Sequence, residues 1–369
     1  MKFLDCIQIS PPVSLVKGKI YSFIEMANVS TVFREPDYID VKAFSSGTKF
    51  EDGDTVIARI EPCLQNGKRF FVKGIGKGFG STEFLVFRPK TIGVDNKYLY
   101  YFMKTEYIQQ LMVSSMTGAT GRQRVNNDIF ADLEISLPDI SVQRRIASIL
   151  SAYDDLIENN RRQIKLLEEA AQRLYREWFV ELRFPGHEGV KVVDGVPEGW
   201  KKVCLKDICE TKTGKKDANF GCDDGAYPFF TCAQAPIKAP SYSFDCSAVI
   251  FAGNGDFNVK LYRGKFEAYQ RTYVLSPANT EYLFLLYNAV SRNMNVLTKG
   301  ASGSTIKFLT KGMIDSIELL IPSSQLLTTY NQNSEALQKS IEALHRKVAL
   351  AVEARDRLLP KLMNSEMEI

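Results

Sequence analysis

The sequence predicts an α+β protein in which two globular domains alternate with two long helices, the helices pairing as an antiparallel coiled coil. Three observations lead there. The chain repeats itself at an offset of 184 residues, and each copy of the repeat runs into a heptad-patterned helix. The globular parts mix short apolar strands with amphipathic helices.

The repeat is clearest around two prolines. Asp128-Ile-Phe-Ala-Asp-Leu-Glu-Ile-Ser-Leu-Pro138 matches Gly312-Met-Ile-Asp-Ser-Ile-Glu-Leu-Leu-Ile-Pro322, with Leu133/Ile317, Glu134/Glu318, Ile135/Leu319 and Leu137/Ile321 in one register. Upstream, Thr117-Gly-Ala-Thr-Gly-Arg-Gln-Arg-Val125 resembles Lys299-Gly-Ala-Ser-Gly-Ser-Thr-Ile-Lys307. Thr55-Val-Ile-Ala58 is echoed by Ala248-Val-Ile-Phe251, and Tyr21–Asn28 more loosely by Tyr227–Gln234.

After each proline the period changes to seven. Ile146, Tyr153, Asn160, Leu167 and Leu174 form one set in the first half, and Leu150, Ile157, Ile164, Ala171 and Trp178 the interleaved one. The second half gives Tyr330, Leu337, Leu344, Ala351 and Leu358, with Ser334, Ile341, Val348, Arg355 and Leu362. A heptad sustained over about five repeats means a seam that packs on another helix. At about 38 residues each helix would be roughly 57 Å long. Asn160 is the strongly polar member of the first seam. Its counterpart is Leu344, beside His345, so His345 is a candidate partner for its amide. The simplest arrangement puts one globular domain near each end of the pair.

A chain of 369 residues is too long for one ordinary core. The expected division is residues 1–140 for the first globular domain and 141–183 for the central helix. Residues 184–322 form a linker and the second domain, and 323–369 the last helix. Phe184–Gly189 and Asp194–Trp200 are turn-rich and mark the entry to the second domain. Thr55–Ala58, Phe84–Phe87, Ala248–Phe251 and Thr272–Leu275 read as buried strands, and Tyr98–Val113 and Tyr282–Leu297 as amphipathic helices.

Composition narrows function only a little. Hydrophobic content of 45% with 24% charged residues is that of a globular domain, not of a disordered chain. No apolar run has the roughly 18 residues of a membrane span, and the start, Met1-Lys-Phe-Leu-Asp5, gives no apolar stretch of signal-peptide length, so export is not expected. Seven cysteines lack a Cys-x-x-Cys pair, and the closest pairs, Cys204/Cys209 and Cys222/Cys232, do not fit zinc spacing. They read as reduced thiols of a cytoplasmic protein. A net charge of +4 permits nucleic-acid binding without demanding it.

A catalytic constellation is not found. Ser10-Pro-Pro-Val13 resembles the Asn/Asp-Pro-Pro-aromatic motif of adenine methyltransferases, but its fourth residue is not aromatic. Gly74–Gly80 is followed by a strand, whereas a dinucleotide turn needs a helix, so a hairpin is expected there. Pro36-Asp37 with Asp40-Val-Lys42 is a chance likeness to a nuclease motif. His187 lies in the linker and His345 on the last helix, too far apart in pattern to suggest a triad or zinc site. No metal or cofactor site is therefore expected on this chain.

Basic and amide-bearing loops remain. The first domain offers Arg59, Asn66, Lys68, Arg69, Lys73 and Lys77, then Arg122, Gln123 and Arg124. The second offers Asn254, Asn258, Lys260, Tyr262, Arg263, Lys265, Gln270 and Arg271, with Lys299 and Lys307. Arg and Lys suit phosphates and guanine edges, and Asn and Gln suit adenine. These are the candidate DNA-binding residues. Because Gly118–Val125 and Gly300–Lys307 are shared by both halves, they are expected to shape the fold or hold phosphate and not to choose bases.

The run Gln143-Arg-Arg-Ile-Ala-Ser-Ile-Leu-Ser-Ala-Tyr-Asp-Asp-Leu-Ile-Glu-Asn-Asn-Arg161 resembles the central region of the specificity subunits of Type I restriction-modification systems. So does Leu166-Leu-Glu-Glu-Ala-Ala171 leading to Leu174-Tyr-Arg-Glu-Trp-Phe179, and Leu358-Leu-Pro-Lys-Leu-Met363 is similar to their C-terminal ending. Leu327 departs from the pattern, standing where the first half has Gln143. The resemblance implies two target-recognition domains, each reading half of a bipartite site on double-stranded DNA. It also implies helices that set the gap and carry two modification subunits, with S-adenosylmethionine on those subunits, and restriction subunits that join the complex. The competing expectation is a coiled-coil scaffold whose globular ends bind proteins. A self-sufficient methyltransferase or nuclease lacks its residues.

Overall fold

A computed structural model of the chain describes residues 1–255, 257–299 and 308–364. The chain divides into two compact units, Met1–Gln163 together with the chain from Ala343 onward, and Ile164–Glu342. Each unit therefore contains part of both long helices.

The first unit begins with a short helix, α1 (Phe3–Cys6), and eight strands: β1 (Ile7–Ile9), β2 (Ile20–Ile24), β3 (Asp40–Ala43), β4 (Thr48–Glu51), β5 (Thr55–Ala58), β6 (Arg69–Phe71), β7 (Lys77–Gly80) and β8 (Phe84–Pro89). They form two four-stranded sheets, in the orders β1-β8-β5-β6 and β3-β2-β7-β4. Every residue of β5 is buried, as the uninterrupted Thr55-Val-Ile-Ala58 run anticipates for an inner strand. Phe50, Phe70, Phe84 and Val86 fill the space beside β5, and Phe3, Phe87, Leu99 and Phe130 a neighbouring core. The Gly74–Gly80 segment turns at Gly74 and Gly76 and enters β7. A side chain at Gly80 would lie 2.5 Å from the Ile24 carbonyl oxygen, so the glycine there serves the parallel approach of β7 to β2.

Tyr98–Val113 is not one helix. It is α2 (Asn96–Met103) and α3 (Glu106–Ser114). The Thr105 hydroxyl donates to the Phe102 carbonyl at 2.7 Å, and the Thr105 backbone is extended, which breaks the helix despite its continuous apolar pattern.

The long helices are α4 (Ile140–Phe179) and, after the second domain, α8 (Ser324–Met363), each 40 residues. None of their heptad positions is exposed. In the first unit the contact between them includes two charges. Arg355 of α8 and Asp154 of α4, each 1% exposed, meet at 2.6 Å, and the Tyr101 hydroxyl of α2 donates to the same carboxylate at 2.5 Å. Burial, with the Asp154 charge beside it, pushes the Tyr101 hydroxyl far above its usual range.

The second unit adds β9 (Val192–Val193), β10 (Val196–Pro197), β11 (Lys201–Cys204), α5 (Leu205–Ile208), β12 (Cys209–Thr213), β13 (Tyr227–Phe230), β14 (Ile237–Ala239), β15 (Phe244–Ala252), β16 (Val259–Ala268), β17 (Thr272–Pro277), α6 (Leu283–Lys299), α7 (Lys311–Asp315) and β18 (Glu318–Ile321). The turn-rich linker folds into the β9–β10 hairpin around Asp194-Gly195. The six-stranded sheet runs β12-β17-β15-β16-β13-β14, and β11 pairs with β18. Here the parts of α4 and α8 meet through aromatics, with Trp178 and Phe179 against Tyr330 at 5.8 and 4.8 Å between ring centroids.

Strand pairing repeats between the units. β8 lies between β1 and β5 as β17 lies between β12 and β15. β2 pairs antiparallel with β3 and parallel with β7, and β13 pairs antiparallel with β14 and parallel with β16. The loose echo of Tyr21–Asn28 in Tyr227–Gln234 therefore falls on strands with equivalent partners. Glu318 pairs with Cys204 in a full two-stranded sheet, while its counterpart Glu134 makes only a single bridge, to Lys2.

Asn160 is 4% exposed and its Nδ2 has no hydrogen-bond partner among the described residues, while His345 is exposed. An unpaired buried amide costs about 1–3 kcal/mol. Asn160→Leu is expected to raise unfolding free energy by at least about 1 kcal/mol in denaturant titrations. A fall in stability would show that the amide is satisfied in solution.

Candidate nucleic-acid interface

In the first unit two loops come together at the end of β5. The Val125 amide donates to the Arg59 carbonyl at 2.9 Å, and the Glu61 amide to the Gln123 carbonyl at 3.0 Å. Thr117 and Arg124 exchange both backbone hydrogen bonds at 2.9 Å, closing a hairpin whose Gly121 amide donates to the Glu61 carboxylate. Arg122 sits at its exposed tip with no ion pair among the described residues. Arg124 is exposed but binds both oxygens of Glu83, at 2.7 and 2.8 Å. That hydrogen bond holds the Glu83 carboxyl below its usual range and raises the Arg124 guanidinium. Asn66 is exposed in the adjoining turn, and Gln123 is half-buried.

The second unit builds the same junction. The Leu309 amide donates to the Gly253 carbonyl at 2.8 Å, the counterpart of the bond from Val125, 184 residues before Leu309, to Arg59. Asn254 bridges to Phe308 as Ile60 bridges to Arg124. Around this junction the Cys232 thiol donates to Asn254 Oδ1 at 2.9 Å, Asn258 Nδ2 to the Cys232 carbonyl at 3.1 Å, and Lys260 Nζ to the Ala233 carbonyl at 2.9 Å. The Gly253 amide takes the Arg271 carbonyl at 2.9 Å, which brings the exposed Arg271 side by side with this group. Gln270, also exposed, is held by its amide on the Lys216 carbonyl at 2.9 Å.

Several sequence candidates have partners within the protein. Arg69 is 6% exposed and clamps the helix junction through the Met103 carbonyl at 2.5 Å and the Gln109 side chain, and burial lowers its pKa. Nothing in the sequence, where Arg69 reads as a loop residue, signals that burial. Lys73 pairs with Asp155 and Glu158 of α4 at 3.1 and 3.5 Å. Lys68 donates to the Met26 carbonyl at 2.7 Å, and Arg59 to the Val125 carbonyl at 3.2 Å, so both brace loops. Tyr262 packs its ring on Phe230 and Phe266. Arg263 binds Glu335 of α8 at 2.7 Å, and that carboxylate raises its pKa. Lys77 is exposed on the other sheet, opposite Glu51, and Lys265 is exposed over the Tyr242 ring. Lys307 and the rest of 300–307 lie outside the described residues, and Lys299 ends α6.

Beside the two junctions lies a polar, cationic group in each unit, Arg122 with Asn66, Gln123 and Arg124 in one and Asn254, Asn258, Lys260, Gln270 and Arg271 in the other. Sequence reading missed Lys215 and Lys216, which follow Gly214 into the same corner. A side chain at Gly214 would lie 1.9 Å from the Ala268 carbonyl oxygen, so the pair begins at a tight approach. The Gly-Lys-Lys run was the available signal. Among the described residues no group of His, Cys, Asp and Glu could hold a metal ion, and no helix is long and apolar enough to cross a membrane.

Such loops, short, polar and duplicated on a rigid frame, suit the grooves and phosphates of DNA. Comparison with known proteins agrees. The family model for the Type I restriction modification DNA specificity domain matches residues 16–169 and again 197–353. The specificity subunit of the Type I restriction enzyme EcoDI from Escherichia coli is 38% identical over 178 residues, covering 47% of this chain and 39% of that protein. The MjaIX specificity subunit of Methanocaldococcus jannaschii is 24% identical over 304 residues, covering 75% of this chain and 70% of its own length. The chain thus aligns with well under half of the first relative and somewhat over two thirds of the second. In fold, it is similar to the crystal structure of a Type I restriction-modification S subunit from M. genitalium, with a TM-score of 0.59 at 15% identity over 98% of this chain and 95% of that one. Two matches of one family model, falling on the two copies of the repeat, leave a single conclusion: the chain belongs to the family of Type I restriction-modification DNA specificity proteins.

Proposed function

We propose that this chain is the DNA-reading subunit of a Type I restriction-modification complex, itself without catalytic residues. Each globular domain takes one half of a bipartite double-stranded target. The observation that carries this reading is the shared junction, with Val125 on Arg59 and Leu309 on Gly253, which presents one loop pair per domain on a common frame. Different side chains on equivalent loops are what two different half-sites require. The modification subunits, carrying S-adenosylmethionine, and the restriction subunits are the expected partners, and the cytoplasm is the expected compartment.

In this reading α4 and α8 pair as an antiparallel coiled coil that sets the gap between half-sites. The unexposed heptad positions, the Arg355–Asp154 pair and the packing of Trp178 and Phe179 on Tyr330 support it. The domain boundaries follow, with recognition domains over 1–140 and 184–322 and helices over 141–183 and 323–369.

Two outcomes test the proposal. Arg122 has no carboxylate partner among the described residues, whereas Arg124 is neutralised by Glu83. Arg122→Ala in the complex with the modification subunits is expected to weaken binding to all DNA sequences. It should also flatten the slope of log K against log salt by about 0.9, while Arg124→Ala changes that slope little. Binding that is insensitive to salt would favour a protein scaffold. Separately, seven residues inserted into each helix, between Gln163 and Ile164 and between Glu342 and Ala343, keep the heptad phase and add about 10.5 Å. At about 3.4 Å per base pair, the methylated motif should keep both half-sites and gain roughly three spacer pairs. Altered half-sites with an unchanged spacer would contradict the ruler.

A further inference from the structure

The segment Glu25–Ile39, between β2 and β3, is long, and its counterpart between β13 and β14, Thr231–Pro236, is short. The two also differ in what they touch. In the first unit the part of the segment from Val32 to Asp37 is bound to the long helices. Arg34, 3% exposed, donates to Asp155 and Glu158 of α4 at 2.6 and 2.7 Å, and Glu158 is itself 3% exposed. Arg355 of α8 donates to the Val32 carbonyl at 3.0 Å while it pairs with Asp154. Outside this centre Arg161 pairs with Asp37 at 2.7 Å and stacks 3.8 Å from the Phe33 ring, and Arg162 pairs with Glu35 at 3.0 Å. The Pro36-Asp37 sequence, read as a chance likeness to a nuclease motif, thus belongs to a docking segment.

Further points of the same domain reach the same helices. Tyr101 of α2 donates to Asp154, and Lys73 reaches Asp155 and Glu158 from the turn before β7. Lys104 also pairs with Asp356 of α8 at 2.8 Å, and the Asp95 amide donates to the Gln143 side chain of α4 at 3.0 Å. Several separate attachments fix the orientation of a rigid body, where one would leave a hinge.

The repeat has not kept this device. The residues 184 positions from Arg355 and Asp154 are Ala171 and Gln338, and both line a cavity of about 560 Å³ in the second unit. Gln338 donates to Glu342 of its own helix at 3.0 Å. Among the described residues, no ion pair joins Thr231–Pro236 to α4 or α8.

We propose that Glu25–Ile39 is an orientation lock: by docking Arg34 between Asp155 and Glu158, it fixes the first recognition domain on the helices and so restricts the complex to one half-site spacing. This rests on the DNA-reading function proposed above. The lock acts on spacing and not on base choice, because Arg34, the residue that docks it, is buried against α4 and the segment belongs to neither loop junction.

The test is methylation by the complex with its modification subunits on a DNA library in which the two half-sites are separated by the native spacer or by one base pair more or fewer. R34Q/E158Q keeps hydrogen-bonding groups but removes the buried charges. R161A/R162A removes only the outer pairs and spares the core. Relative to the native spacer, methylation at the altered spacers is expected to rise at least tenfold with R34Q/E158Q. A smaller rise is expected with R161A/R162A, and the half-site bases should stay unchanged in both. Spacer selectivity within twofold of wild type in both variants, with melting and assembly intact, would overturn the lock, as would altered half-site bases. If R34Q/E158Q does not fold, R161A/R162A decides by the same criterion. A wild-type complex that methylates no fixed-spacer bipartite motif would overturn the functional reading itself, a result visible before any variant is compared.

Discussion

Arg355 on α8 and Asp154 on α4 are each 1% exposed, and a charge buried alone costs several kcal/mol. Arg355 also pairs with the adjacent Asp356, but Asp154 has no other ion pair among the described residues, so its need for Arg355 ties two segments far apart in the chain to one register. A hydrophobic contact at the same level would tolerate sliding by a turn. The guanidinium–carboxylate geometry does not, and the Tyr101 hydroxyl on the same carboxylate extends the requirement to the first globular domain. Such pairs contribute little net stability, and what they supply here is a unique arrangement.

The duplication explains why the two units share strand pairing while differing in how the helices are held. A common frame requires only that key backbone partners persist, and those of the central strands and of the bond from Val125 or Leu309 to the preceding loop do. Side chains on that frame are free to diverge. In one unit they give a charged, buried cluster; in the other they give aromatic packing of Trp178 and Phe179 on Tyr330 and a cavity at the equivalent level.

Much of this was legible in the sequence. The heptads located both long helices and placed Arg355 and Asn160 in the seam, because a period of seven survives any choice of side chain. The repeat located the equivalent strands for the same reason. The helix break at Thr105 was not legible, since a hydroxyl turning back on Phe102 leaves the apolar pattern intact. Nor was the role of Arg69, Lys73 and Arg263. A basic residue in a strand or turn reads as exposed unless its partner is known, and those partners, Met103, Glu158 and Glu335, lie far away in the chain. The loops of the interface were found as stretches, while the residues within them sorted into contacts and braces only through tertiary hydrogen bonds.

The central claim is that this chain alone decides which DNA sequence its complex acts on, with one half-site per domain. Methylome sequencing of cells carrying the modification subunit, with and without this chain, measures that directly. The account predicts one bipartite adenine motif with a fixed spacer, present only with the chain, of which one half changes when the loops Arg59–Lys68 and Thr117–Val125 are replaced. A motif that persists without the chain, or both halves changing with that single replacement, would contradict it.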